Sequence, residues 1–206
     1  MSFATILMAV VLIGLAYLLG SVPFSFLVAR MRGVDLRTVG SGNIGGANVW
    51  RAAGFGPFVA AAALDVLKGM LPTLVALYWA RLPSGLVVLV GAAAMLGHTF
   101  PLFLHFRGGK AVATSGGVLL ALVPLLVAAG LVAWVLGFAI TRVSAVGSLA
   151  AAATVLLLGT IFFLSGSAPL AYAAFIWCAV GAIVYLHRGN IQRLRAGREN
   201  RFERLF

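Results

Sequence analysis

The chain of 206 residues is 63% hydrophobic and 9% charged with a mean hydropathy of +1.11, which excludes a soluble globular domain and describes a multi-span helical membrane protein. A net charge of +11 would suit nucleic acid, but no basic run is interleaved with aromatic residues on a soluble surface, and a basic excess in a membrane protein first means cytoplasmic loops. The lone Cys178 excludes an intrachain disulfide.

The first apolar run covers residues 5–29. No basic residue precedes it, the first charge being Arg30, so it reads as a retained span and not as a signal peptide. Gly20, Ser21 and Pro23 predict a kink near its end. A polar island follows, from Gly40-Ser41-Gly42-Asn43 to Asn48 and Arg51. The run 55–80 carries Asp65 and Lys68, three apart on one helical face, which reads first as a self-neutralising pair near mid-membrane. An ionisable group at that depth is also a functional candidate. The run 86–104 contains His98, which opens a second island from Gly97-His98 to Gly108-Gly109-Lys110. Pro124 interrupts the run 112–140, and runs 143–164 and 170–186 follow, the last expected to bury Cys178 as a small packing residue. Glycine and alanine in the second, fifth and sixth spans predict close helix packing. His187-Arg188-Gly189-Asn190 forms the third island, ahead of an arginine-rich tail whose simplest use is to bind anionic lipid headgroups.

Charge parity decides how the interrupted run is threaded. If residues 112–140 cross once, the basic residues divide 6 against 8 between the two sides, which is no bias. If residues 105–142 form a hairpin of two short helices bent near Pro124, Arg142 and the tail join Arg30, Arg32, Arg37, Arg51, Arg107 and Lys110, and the division becomes 13 against 1. The expectation is an all-α polytopic protein of seven transmembrane helices, N-terminus outside and C-terminus cytoplasmic, forming one integral-membrane domain over residues 1–206 with 187–206 as a basic cytoplasmic tail. Short, tilted or partly submerged helices are expected in the hairpin, because each is near the lower limit of about 17 residues for a span. All three polar islands then face the cytoplasm at helix ends, where they can converge.

The islands suit anionic oxygens. Gly40-Ser41-Gly42-Asn43-Ile44-Gly45-Gly46 can turn successive NH groups to one concave side, with Ser41, Asn43 and Asn48 nearby and Arg51 as a bidentate phosphate ligand. A flexible loop would have the same composition. Gly108-Gly109-Lys110 before a helix beginning near Ala111 resembles the end of a phosphate-binding loop, although Leu104 stands where a nucleotide P-loop needs glycine and no strand precedes it. His98, one turn or so away, reads equally as structural or catalytic, and His187 and Asn190, three apart, project from one face. The four carboxylates are Asp35, Asp65, Glu199 and Glu203, too few for a carboxylate dyad or a carboxylate-rich metal site, so no metal and no cofactor is expected. The histidine-x4-aspartate pattern of thioester-dependent acyltransferases is missing, because Phe103, Lys110 and Gln192 lie five residues after the three histidines.

Five stretches together resemble, in order and spacing, the bacterial acyl-phosphate:glycerol-3-phosphate acyltransferases. They are Gly20-Ser21-Val22-Pro23-Phe24, Val39 to Gly45, Asp65-Val66-Leu67-Lys68-Gly69, Gly97 to Pro101 with Phe106 to Thr114, and His187-Arg188-Gly189-Asn190-Ile191. The resemblance covers nearly the whole chain. It implies a seven-helix enzyme of the bacterial inner membrane that transfers a fatty acyl group from acyl phosphate to glycerol 3-phosphate, giving lysophosphatidate for phospholipid synthesis. It places Ser41 and Arg51 in a first functional motif, the glycine loop with Lys110 in a second, and His187 with Asn190 in a third. With His98, these form the expected catalytic set. Gly40, Gly42, Asn43, Gly45, Asn48, Gly108, Gly109, Thr114 and Ser144 are the expected substrate-binding set. The chain departs from the family at Gly46-Ala47, where Ala-Thr is usual, at Ala111, often Gly, and at Gly189, where the family has Glu.

Acyl phosphate is a mixed anhydride with a good leaving group, so an enzyme need only hold two anions and orient the glycerol hydroxyl at the carbonyl. The base is His98, His187 or an oxygen of the donor phosphate. The expected partners are acyl phosphate, glycerol 3-phosphate and membrane lipids, with no nucleic acid, and the expected state is a monomer whose active site faces the cytoplasm. The alternatives are a membrane transporter for organic phosphates, which predicts mid-membrane polar groups on broken helices and internal repeats, and a noncatalytic scaffold.

Overall fold

In the computed structural model, which describes residues 1–202, every regular element among the described residues is helical. Glu203, Arg204 and Phe206 of the expected tail lie outside the described residues. The chain divides into two compact units, Met1–Leu122 and Val123–Phe206.

In the first unit, α1 (Phe3–Ser21) is capped by the Ser2 hydroxyl, which accepts from the Thr5 amide, and it breaks before α2 (Phe24–Arg30). The break is the expected kink. Pro23 has no NH to continue the helical ladder, so the Val22 amide closes back on the Leu19 carbonyl at 3.1 Å. Then come α3 (Gly46–Ala53), α4 (Phe55–Leu74, prolonged by a π-turn at Val75–Trp79), α5 (Ser84–Thr99) and α6 (Val112–Leu122).

Missing β-carbons set the helix spacing. A side chain at Gly20 of α1 would run into the Ala94 backbone of α5, and one at Gly97 would run into Tyr17 and Gly20. Gly69 of α4 backs the Thr114 main chain of α6, and Gly117 of α6 backs Val66. In a bilayer the lipid tails are as apolar as leucine, so such close van der Waals contact does what hydrophobic burial does in water. Apolar clusters among the described residues pack between these helices. One joins Ala9, Leu12 and Ala16 to Val87, Val90 and Ala94, and another joins Ala29, Leu36, Ile44, Val49 and Ala61.

The second unit contains α7 (Pro124–Thr141), α8 (Ser144–Leu164), α9 (Leu170–Leu186) and α10 (Arg188–Arg195). Pro124 begins α7 at a position where its missing NH breaks no helical bond. Gly130 packs on Val155, Gly137 on Gly147 and Ala150, Gly147 on Trp134, and Gly159 on Ile176, so the glycine-rich runs close-pack as expected. After α10 the chain folds back. The Phe202 amide bonds the Arg142 carbonyl at 2.9 Å, and its ring meets Phe138 edge-on.

Among the described residues, five helices are long and apolar enough to cross a membrane: Phe3–Arg30 counted through its kink, Phe55–Trp79, Ser84–Leu104, Pro124–Thr141 and Ser144–Leu164. The pair Leu170–Leu186 and Arg188–Arg195, bent by 53°, adds a sixth if taken as one span. Helix α6 has 11 residues, about 16 Å at 1.5 Å per residue, roughly half of a hydrocarbon core. Cys178 corrects one expectation, for it is exposed on α9 and not buried. A thiol is apolar enough for either environment, so hydrophobicity alone does not set its side of the helix.

Gly69→Ala drives a methyl group into the Thr114 main chain and should destabilise the protein by about 1–3 kcal/mol. Gly116→Ala, on the open side of α6, should be neutral or slightly stabilising. Thermal denaturation of both variants in detergent checks the contrast, and equal Tm values would contradict the close-packing account.

Candidate active site

The first polar island is held from within by Asn48. This residue is 1% exposed, and its amide nitrogen donates to the carbonyls of Leu36 (3.0 Å), Val39 (3.1 Å) and Asn43 (3.0 Å) while its Oδ1 accepts from the Ser41 amide at 3.2 Å. Asn48 was expected among the substrate ligands; its amide is committed to bracing the loop. Gly40 (φ 56°) and Gly42 (φ 68°) adopt left-handed backbone, and a side chain at Gly40 would also strike the Asn48 amide. The result is a tight turn, and not a flexible loop, that exposes Ser41, whose Oγ lies 3.4 Å from the Asn43 amide nitrogen. Gly45 caps α3, on which Arg51 lies one turn beyond Asn48, half-buried. Trp50, next to Arg51, stacks on Phe58 at 4.9 Å and tilts against Phe55, anchoring α3 to α4. Ahead of the turn, hydrogen bonds from Arg37 hold the Asp35 carboxyl down at about 2, so it remains ionised beside Arg30.

Behind the second island is a buried polar cluster. Asp65 Oδ2 accepts from the Ser25 hydroxyl at 2.7 Å. Its Oδ1 lies 2.9 Å from Lys68 Nζ and 3.6 Å from His98 Nδ1, contacts of charge more than of hydrogen-bond geometry. The pair expected to neutralise itself therefore does so, yet it also does more. Lys68 Nζ donates to the Val22 carbonyl at 3.0 Å, in the break between α1 and α2, and His98 Nδ1 is 3.1 Å from the Thr114 hydroxyl. Ser25 and the partnership of Asp65 with His98 are not visible in the sequence. They join α2, α4 and α5 across separations of 40 and 33 residues, and only the functional default for an intramembrane carboxylate pointed toward them. A narrow recess of about 190 Å³, including its open mouth, is lined by Gly20, Pro23, Ser25, Ile44, Asp65, Lys68, His98 and Pro101.

The glycine loop lies directly on this cluster. The Gly109 amide donates to the His98 carbonyl at 3.1 Å, and a side chain at Gly108 would strike the His98 and Thr99 carbonyls. A β-carbon at Gly109 would collide with His98 Nε2. The two glycines are thus required by their neighbours inside the protein, whatever they also bind. His105 (φ 51°), Phe106 (φ 60°) and Ala111 (φ 55°) are left-handed without being glycine, a conformation that costs an L-residue about 1–2 kcal/mol. For Ala111 this gives a physical reason for the glycine common in the resembling family. Lys110 is half-buried, just ahead of α6. Thr114, fully buried, is turned to His98.

In the second unit, His187 and Asn190 are buried at the α9–α10 bend. His187 Nδ1 is 2.8 Å from the Ile183 carbonyl, a contact that requires Nδ1 to donate. Asn190 Nδ2 and Arg193 Nε each donate to Glu199 at 2.8 Å, so the returning tail supplies a carboxylate that the short-range sequence around Gly189 lacks. Gly189 lies beside Arg193, where a family glutamate would stand. Ser144 is buried in the first turn of α8. Among the described residues no cluster of histidine, cysteine and carboxylate could hold a metal ion.

The model of the family described as glycerol-3-phosphate acyltransferase matches residues 10–197. A glycerol-3-phosphate acyltransferase of Roseiflexus sp. (strain RS-1) is 58% identical over 198 residues, 96% of this chain and 97% of that protein. One of Aquifex aeolicus (strain VF5) is 40% identical over 195 residues, covering 94% and 99%. Among solved structures, the chain is similar to PlsY (YgiH), an integral membrane glycerol 3-phosphate acyltransferase. Its glycerol 3-phosphate form has a TM-score of 0.87 at 39% identity, covering 94% of this chain and 95% of that one. Its lysophosphatidic acid form gives 0.85 at 38%.

Asn48→Asp would replace a buried donor with an acceptor facing three carbonyls and should cost about 1–3 kcal/mol of stability, with transfer activity falling further than Tm. Unchanged melting and kinetics would remove Asn48 as the brace of the turn.

Proposed function

From the premise that the chain belongs to the glycerol-3-phosphate acyltransferase family and is an acyltransferase of phospholipid biosynthesis, we propose that it acylates the primary hydroxyl of glycerol 3-phosphate with acyl phosphate as donor. The hydroxyl oxygen bonds to the acyl carbonyl carbon, the anhydride bond from that carbon to the phosphate oxygen breaks, and the departing phosphate carries away the hydroxyl proton. The products are 1-acyl-glycerol 3-phosphate and inorganic phosphate. Family membership sets the transporter and scaffold readings aside.

The observation that carries this reading is the pairing, in one unit, of a rigid glycine turn exposing Ser41 with a glycine loop that presents Lys110 at the start of α6. Backbone NH groups, an ammonium and a guanidinium suit two phosphate groups, one on each substrate. We assign Arg51 and Ser41 to glycerol 3-phosphate, and Gly108, Gly109 and Lys110 mainly to the donor. His187 and Asn190 are proposed as further ligands, and Gly40, Gly42, Asn43, Gly45, Thr114 and Ser144 as substrate-binding residues. The base is an oxygen of the donor phosphate, a choice supported by the few carboxylates and by the commitment of the Asp65 carboxylate to Ser25, Lys68 and His98. Catalysis is then mainly a matter of position.

Seven crossings accompany this reading: α1 with α2, α4, α5, α6, α7, α8 and α9. The loop ahead of α6 completes a passage that its 11 residues do not, since only Val123 separates it from α7. The 13-to-1 division of basic residues supports an inner-membrane protein with its N-terminus outside and its C-terminus and polar islands cytoplasmic. All the assigned ligands come from one chain, which suits a monomer.

In a Cys178→Ser background, cysteines placed at Ser2, Ser84 and Ser167 should be labelled from outside, and those at Thr38 and Arg198 should not. External labelling at 198 contradicts seven crossings.

Purified protein should form lysophosphatidate from acyl phosphate and little from acyl thioesters of coenzyme A or of acyl carrier protein. Arg51→Ala should raise the KM for glycerol 3-phosphate or abolish transfer, a loss of about 2–3 kcal/mol or more for a charge-assisted contact. Robust thioester activity would overturn the donor, and normal kinetics of folded Arg51→Ala would remove that residue from the site.

A further inference from the structure

A salt bridge needs two groups, yet five converge behind the glycine loop. Ser25, Asp65, Lys68, His98 and Thr114 come from α2, α4, α5 and α6, and none is more than 7% exposed. His98 is the member that meets the loop, and it does so twice. Its carbonyl accepts from the Gly109 amide, and its ring Nε2 fills the place a β-carbon at 109 would need.

The direction of that second contact is informative. The site a β-carbon would take on Gly109 is nearest to Nε2 and lies 3.1 Å from both Cδ2 and Cε1, the two atoms flanking it. This places it beyond the nitrogen, in line with the Nε2 lone pair. A general base needs its lone pair directed at a substrate proton, whereas this one is directed at the side of Gly109 where a β-carbon would stand. The other ring nitrogen fits the same picture. Nδ1 stands 3.1 Å from Thr114 Oγ1 and 3.6 Å from an Asp65 carboxylate oxygen, so the negative charge keeps the proton there and leaves Nε2 bare. A proton on Nε2 would occupy the space into which Gly109 packs.

We propose that His98 is a positioning residue and not the base, and that Asp65, held by Lys68 and Ser25 and assisted by Thr114, orients its ring so that Gly108-Gly109-Lys110 is set for a substrate phosphate. This rests on the reading of that loop as a phosphate site. Lys68 ties the device to the helix break by donating to Val22, which links the α1–α2 kink to the loop through three side chains, Lys68, Asp65 and His98.

The test uses purified wild type, His98→Asn, Gly109→Ala and the double variant, each assayed for transfer from acyl phosphate to glycerol 3-phosphate across pH. The asparagine amide can stand in for Nδ1 but lacks the ring atoms that oppose a β-carbon at 109. His98→Asn should keep kcat within about tenfold, raise the KM for the donor and leave the pH profile unmoved, whereas Gly109→Ala should lose about 100-fold or more. The double variant should recover at least about tenfold over Gly109→Ala. A loss of about 1,000-fold in His98→Asn with a limb of the pH profile gone, or a double variant no better than Gly109→Ala, overturns the proposal. Nitrogen-15 spectra of histidine-labelled wild type decide the matter without relying on the folding of any variant. They should show His98 protonated at Nδ1 and bare at Nε2, and a proton at Nε2 overturns the proposal. Failure of wild type to use acyl phosphate would defeat the phosphate-loop reading alone, since the spectra still report the tautomer.

Discussion

A carboxylate removed from water must be matched by charge and hydrogen bonds, and the first unit is organised around how Asp65 meets that requirement. Its two oxygens draw a hydroxyl from α2, an ammonium from its own helix and an imidazole from α5. The same ammonium bonds the Val22 carbonyl in the break before α2, and the same imidazole meets the glycine loop. Removing any one partner leaves a buried polar group unmatched elsewhere, so the kink, the long helix α4 and the loop share one electrostatic solution.

Such a cluster needs helices at close range, and glycine provides it. Gly20 with Gly97 brings α1 against α5, and Gly69 with Gly117 brings α4 against α6, each at a distance that any β-carbon would prevent. Glycine serves two ends here, and Gly20, Gly69, Gly97 and Gly117 differ in this from Gly40 and Gly42. Those within helices set distances, while Gly40 and Gly42 set backbone direction through positive φ and shape the turn that Asn48 braces.

Local chemistry was legible in the sequence, and distant partnership was not. The kink at Pro23, the break at Pro124, the Asp65–Lys68 pair and the close-packed glycines each depend on residues within a few positions, and each is present in the fold. Charge parity suggested two short crossings within residues 105–142, but parity counts sides and not lengths, so the 11-residue extent of α6 could not be read from it. Asn48 illustrates the limit best. An asparagine in a glycine-rich island suits a ligand or a brace equally, and only the positions of the Leu36, Val39 and Asn43 carbonyls distinguish them. The contact of Glu199 with Asn190 was likewise out of reach, because it depends on the tail folding back. Cys178 was misjudged because its side chain is small and apolar enough for either face of α9.

The central claim is that the enzyme positions a hydroxyl at an activated carbonyl, so that the bond broken is the one from that carbon to the phosphate oxygen. Acyl phosphate labelled with oxygen-18 at the oxygen bridging carbon and phosphorus tests it most directly, with purified protein, glycerol 3-phosphate and mass spectrometry of both products. Attack at the carbonyl predicts that the label leaves in inorganic phosphate and that lysophosphatidate carries none. Label retained in a free fatty acid, with glycerol 3-phosphate phosphorylated instead of acylated, would contradict it.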